Sequence, residues 1–477
     1  MFDDATAAVE GALAAGAAYA DARVVVRKQE TISVQNQAVE SIDRSEQAGV
    51  GIRALVGSSW GFFATADLSA AQRAGERAAE IATASAIVAG PPMEFADVAI
   101  VDATYETPHR EDAFSVSQSE KVDLLVGVTK TMQDVDGIAI ATGNLTFYDT
   151  EKWFISSQGH RIHQHLVESG GGMDATALGE AESQRRSFPQ SFGQYETGGY
   201  EVIRDWDFPN NAQRIAEEAV ALLTADELEE QEMDLILEGS QLGLQIHESV
   251  GHAIELDRIL GWEAAFAGTS HLQLETLGSF QFGSPLMNIT ADATLPGALG
   301  TFGFDDEGTA AQSVDITREG VWVGVLSGRD SAAIAGLPPG GMVRADGHGR
   351  LPMVRMTNVG LIPGDSSFDE IIADTQKGVY MATNRSWSID DRRLNFQFGT
   401  EIAWEVKDGK LGRMLKNPTY TGIGPQFWQS LDRLGGPDEW VHWGTPNCGK
   451  GQPMQVAHTG HSAGPARFKN VRVGVGA

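Results

Sequence analysis

The stretch ADARVVVRKQETISVQNQAVESI, residues 20–42, alternates apolar and polar side chains along its length. A period of two turns one face inward and the other outward, so the chain must build a half-buried sheet near its N-terminus. Strand-like alternation returns from about residue 137 to 196. Helical patterns flank these segments at 3–20, 69–86, 117–135 and 211–225. The Gly57–Ser59 stretch and the run Gly170–Gly172 both read as hairpin turns. Interleaved strands and helices of this kind predict an α+β fold.

Breaks in the pattern divide the chain into three. AGPPME at 89–94 ends a helix–strands–helix block, 1–95, and a second mixed α+β block runs over 96–224. The charged DELEEQEM, 226–233, reads as a linker. The third block, 232–477, opens with the apolar strand DLILEG and passes directly into a helix. Beyond residue 262 its pattern is mostly short strands, and LPPGGMVRADGHGRLP, 337–352, is the most loop-like segment.

Composition excludes several classes. The chain carries 35 Lys and Arg against 65 Asp and Glu, a formal charge of -30. Such a surface repels phosphate backbones and anionic membranes, so neither nucleic acid nor membrane is expected as a partner. No window approaches the roughly 18 uninterrupted apolar residues of a membrane span. Acids stand at the N-terminus where a signal peptide carries bases, and a cytoplasmic location is expected. The single cysteine, Cys448, can form no internal disulfide, which fits a reducing compartment.

The helix at the start of the third block contains QIHESVGHAIELD. Zinc proteases carry H-E-x-x-H, with two histidines one turn apart and the glutamate as base. Here His247 and His252 are five apart, with Glu248 between them. On an ideal helix they would point about 140° apart, too far round to share an ion. A π-bulge restores them to one face, and Gly251 lowers the cost of the bend. Two histidines need a third ligand. Cys448 lies in WGTPNCGKGQPM among turn formers, where a packing cysteine would be out of place, and Glu255, His442, His458 and His461 are the other choices. The competing reading is a chance string on an ordinary helix and a thiol used as a small hydrophobe. His163 and His165 share a strand face and could bind a second metal, or simply form a polar surface. GTPNCGKG lacks the Ser or Thr of a phosphate-binding loop.

Longer segments carry a resemblance. HESVGHAIELD, FDDEGTAAQ, VRMTNVGLIPGD, NRSWSIDDRRLNFQFGTEIAWEVKDGKLGRMLKNPTY and NCGKGQPMQVAHTGHSAGPARFKNVRVG are similar to the TldD/PmbA metallopeptidases. The resemblance spans nearly the whole chain and is most specific in the third block. It implies a TldD-type subunit with zinc on His247, His252 and Cys448 and with Glu248 catalytic. It also implies a mostly β C-terminal catalytic domain, 232–477, carrying the motif helix. The expected substrate is an unfolded peptide, such as a leader or antitoxin-like segment, held as an added strand through its backbone in an enclosed dimeric cavity. The partner is a second copy or a zinc-less PmbA/TldE-type relative. The alternatives are a non-catalytic metal-binding companion that presents peptides and a zinc-dependent amidase on small molecules. No oxyanion donor follows from the motif; Arg344 and His348 are the candidates in the loop.

Overall fold

A computed structural model describes residues 1–88 and 93–475. Of the breaker at 89–94, residues 89–92 lie outside the described residues. In chain order the first elements are α1 (Phe2–Ala14), β1 (Tyr19–Gln35), β2 (Ala38–Val56), β3 (Ser59–Thr65) and α2 (Ala71–Ser85). Next come β4 (Asp102–Glu106), α3 (Gln118–Gln133), β5 (Ile138–Ser156), β6 (Arg161–Leu178), β7 (Ser183–Phe188) and β8 (Gln194–Thr197). Helices α4 (Glu201–Asp205) and α5 (Phe208–Leu222) follow.

One sheet joins the first two sequence blocks. Its strands run β3-β2-β1-β5-β6-β4, with β7 and β8 also paired to β6. The alternation of residues 20–42 places Val24, Ile32 and Val34 in its core. Under β1 and β2, α1 and α2 present alanines, whose small side chains let the helices approach closely. Under β5 and β6, α3 and α5 close a second cluster around Leu145, Phe147 and Ile215. The helix expected over 3–20 stops at Ala14, because Gly16 takes a left-handed φ of 96° and the chain turns into β1. The hairpin around residues 57–59 is present, between β2 and β3.

The hairpin expected at Gly170–Gly172 is absent. These glycines sit inside β6, which runs straight through them, paired with β5 on one side and β8 on the other. They answer to crowding. A Cβ on Gly170 would lie 2.2 Å from the Tyr195 ring, and one on Gly171 would lie 2.4 Å from the Asn144 carbonyl oxygen.

The expected linker is partly strand. β9 (Asp226–Glu227) pairs into the second sheet and β10 begins at Gln231, running to Leu237. That sheet closes on itself as a barrel. The strand Lys377–Ile389 pairs in parallel with β10 and antiparallel with Asn395–Lys407; Ala466–Val473 and Thr419–Ile423 complete the ring. Two of these strands are 13 residues long, so the third block is not only short strands. Its core includes Leu235, Phe398, Tyr420 and Phe468.

Ion pairs join the first sheet to a turn of the third block. Asp306 meets Arg23 at 3.3 Å and Lys152 at 2.8 Å, and Glu307 meets Arg53 at 3.0 Å. Asp305 accepts the amides of Glu307, Thr309 and Val343, which ties this turn to the loop at 337–352. The FDDEG segment is therefore an anchor between the two halves. Among the described residues, no helix is long and apolar enough to cross a membrane.

Candidate active site

Helix α6 (Gly239–Ile246) leaves β10 and packs against the barrel with every residue buried. Glu238 caps it, accepting the amides of Ser240 and Gln241. Most of its buried polar groups are hydrogen-bonded, although the Gln241 side-chain oxygen has no partner. Gln241 donates to the Tyr420 hydroxyl (2.9 Å), which donates to Gln245 (3.0 Å). Trp428 donates to the Ser249 hydroxyl at 2.9 Å. Ser249 in turn donates to the Gln245 carbonyl at 2.6 Å, a back-bond of the kind that bends helices.

The helix then widens. His247–Gly251 form one π turn, closed by the His252 amide on the His247 carbonyl at 3.1 Å. The extra residue brings the two imidazoles together, 4.9 Å between centroids. Gly251 has a second purpose besides the bend: a Cβ there would lie 2.2 Å from the sulfur of Met356.

Cys448 arrives from the hairpin Val441–Lys450/Gln455–Ala463, just past a register shift between Thr445 and Cys448. Its thiol sulfur is 3.9 Å from His252 Nε2. One ligand atom each from His247, His252 and Cys448 lies within 4.8 Å of the others, and all three residues are buried. Tetrahedral zinc would hold such donors about 3.3–3.6 Å apart, so these atoms stand somewhat wider than a zinc site would set them. Among the described residues this is the one group of three or more His, Cys, Asp or Glu so arranged.

The outer ring nitrogens are already committed. His461 Nδ1 lies 2.9 Å from the Val359 carbonyl and must donate to it. Burial, with His247 beside it, holds His461 well below the ordinary histidine range, so it is neutral and its Nε2 accepts. That nitrogen is 2.7 Å from His247 Nδ1, which therefore donates and leaves Nε2 of His247 as a free lone pair. His252 Nδ1 faces Glu255 at 3.0 Å and leaves its own Nε2 toward the cysteine. Such outer partners orient ligands and make them more basic.

Charge around the thiol suits a thiolate. Burial raises the Cys448 pKa, but Arg355 and His252 outweigh it and bring the thiol below its ordinary value. Arg355 also donates to the Cys448 carbonyl. Glu255 is likewise raised by burial, yet Lys450 and His252 hold it well below the usual carboxylate range. Lys450 is fully buried among Glu255, Asp257 and Glu263 at 2.9–3.2 Å. It is an anchor, not a phosphate ligand.

Glu248 is buried beside the two histidines, one carboxylate oxygen 3.3 Å from Arg393. Of the reserve ligands, Glu255 and His461 stand directly behind the histidines. His442 bonds Ser462 and His458 bonds Glu168, each elsewhere. His163 and His165 pair with Glu151 and Asp149 on the first sheet. Arg344 is spent on the Met356 carbonyl, and burial together with Arg355 lowers it to about 10. His348 packs over Gly49 on β2. Sequence reading missed Arg355 and Arg393, although DDRR between two strands was a visible turn signal.

Three family models cover the chain: PmbA/TldA metallopeptidase domain 1 at 20–82, the central domain at 111–225 and the C-terminal domain at 230–474. The chain belongs to the PmbA/TldD metallopeptidase family. A relative from Methanothermobacter thermautotrophicus named a metalloprotease is 28% identical over 96% of this chain and 95% of its own. One from Saccharolobus solfataricus named a zinc metalloprotease TldD homolog is 24% identical over 51% and 52%. The fold is shared with a solved Thermotoga maritima structure described as a putative modulator of a DNA gyrase. It has a TM-score of 0.78 at 17% identity and covers 99% of both chains.

The outer shell can be tested directly. His461→Phe keeps the ring's bulk and removes the acceptor of the His247 proton. Zinc affinity is expected to fall ~10–100-fold, measured by competition with a chelating dye. Thermal melting of the metal-free protein separates this from any loss of stability.

Proposed function

We propose that this chain is a zinc peptidase in which His247, His252 and Cys448 hold the metal and Glu248 is the general base. The observation that carries the reading is the π turn. It converges two imidazoles on a buried thiol while His461 and Glu255 occupy their outer nitrogens. Two nitrogens and a thiolate form a donor set that zinc accepts, with a coordination position to spare. Bound there, zinc supplies Lewis acidity at the scissile carbonyl and acidifies the attacking water.

The chain's own residues do the rest. Glu248 takes a proton from water as the oxygen–carbon bond forms and the carbonyl electron pair moves onto its oxygen. It then returns that proton to the amide nitrogen as the carbon–nitrogen bond breaks. The substrate class is an unfolded peptide, including leader or antitoxin-like segments, recognised through its backbone as an added strand. The working unit is a dimer enclosing the site, with a second copy or a TldE-type relative, in the cytoplasm. These last points rest on the family.

The test is hydrolysis of an unstructured peptide by zinc-loaded protein, followed by mass spectrometry. Cleavage is expected, to be lost on chelation and restored by zinc. Persistent cleavage in chelator, or none with zinc, would sink the reading.

A further inference from the structure

The oxygen that gains charge during hydrolysis needs a donor, and the hairpin tip at 390–394 brings one. Strands Lys377–Ile389 and Asn395–Lys407 meet in a turn closed by the Arg393 amide on the Asp390 carbonyl at 2.9 Å. The Asp390 carboxylate accepts the amides of Arg392, Leu394 and Asn395 at 2.9–3.1 Å. The tip is also docked: Thr269 and His271 donate their amides to the Asp391 and Arg392 carbonyls, each at 2.8 Å. This scaffold holds Arg393 at a φ of 59°, a left-handed conformation that strains a residue with a Cβ.

That strained position aims a guanidinium at the site. Arg393 Nη1 lies 3.3 Å from Glu248, the side chain is 16% exposed, and the buried Nε has no hydrogen-bond partner. The other cations nearby bind elsewhere, although Arg344 and Arg355 also keep an unpartnered Nε. Arg355 donates to the carbonyls of Cys448 and Gln455, Arg344 to that of Met356, and Lys450 is enclosed by carboxylates. Arg393 is set apart by its contact with the proposed base together with partial access.

We propose that Arg393 is a catalytic residue that hydrogen-bonds the oxyanion of the tetrahedral intermediate. This rests on the peptidase reading above. As water's oxygen bonds to the carbonyl carbon, the carbonyl electron pair moves to oxygen and its negative charge is met by the guanidinium. Collapse returns the pair to the carbonyl as the carbon–nitrogen bond breaks, and the proton on Glu248 passes to the amine. Planar and permanently charged, the guanidinium can bridge the carboxylate and the oxyanion at once. The donor acts mostly in the transition state, so its removal should lower kcat more than it raises KM.

The test is Arg393→Gly, since glycine accepts the left-handed backbone, with Arg393→Asn as a second variant that tolerates it. Both are assayed zinc-loaded beside the parent enzyme. The expected result is full zinc content, a KM within about threefold and a kcat lowered ~10²–10³-fold. Added guanidinium at millimolar concentration should restore at least about tenfold of the glycine variant's kcat. A phosphinic peptide, which mimics the oxyanion, should bind the variants ~100-fold more weakly, following the kcat loss. A kcat within about threefold of the parent overturns the proposal. So does a kcat loss with phosphinic affinity unchanged, which assigns Arg393 to holding Glu248. A parent enzyme that cleaves no peptide overturns the peptidase reading and this proposal together, whereas a parent that cleaves beside an equally active variant overturns this proposal alone.

Discussion

Glu248→Gln is expected to leave the fold and zinc content intact and to lower kcat ~10²–10⁴-fold. The amide has nearly the shape of the carboxylate, and its oxygen can still accept from Arg393. It cannot take a proton from water at neutral pH, so the loss falls on the chemical step. Glu248 is not among the three residues whose ligand atoms converge, and metal retention should therefore be untouched. Stopped assays at saturating peptide, with zinc measured by atomic absorption on the same sample, check both halves. Activity within a few-fold of the parent would move the base to another residue. Glu255 is a poor replacement, because its carboxylate is committed to His252, Arg258 and Lys450.

Cys448→Ser has the second large effect, on the metal rather than the chemistry. A serine hydroxyl stays protonated where the thiol is brought down by Arg355 and His252. The backbone there is unchanged: residue 448 still faces Ala457 across the hairpin, and its carbonyl still accepts from Arg355. Stability should shift little. Zinc affinity is expected to fall by more than the roughly 10–100-fold that outer residues contribute. Equilibrium dialysis against a zinc buffer reads the affinity, and a serine variant with full zinc content would remove Cys448 from the ligand set.

The family is legible in the amino-acid sequence alone, since long specific strings carry it. The amphipathic helices are legible too, within a few residues, because their apolar periodicity depends only on local sequence. So is the need for a bend between His247 and His252, as an unbroken helix cannot use a five-residue spacing. The misreadings share one cause. Gly170–Gly172 looks like a turn because glycine permits one, but the same residue also permits close approach, and only neighbouring strands reveal which is needed. The acidic run at 226–233 looks like a linker because an edge strand facing water has no apolar signature.

What the sequence determined by itself was the inventory: most of the helices and strands, and a short set of residues, His247, Glu248, His252 and Cys448 with Glu255, His442, His458 and His461 in reserve, from which a metal site could be built. Tertiary structure decided the roles. His461 and Glu255 were reserve candidates for ligation, and folding placed each behind a histidine, where a hydrogen bond sets the tautomer. Arg393 lies 145 positions from Glu248 and meets it only because two barrel strands end in a docked turn. Sequence patterns record what a residue is beside along the chain. Hydrogen bonds and charge act over a few ångströms in space, so the chemistry of this site was set when the barrel closed.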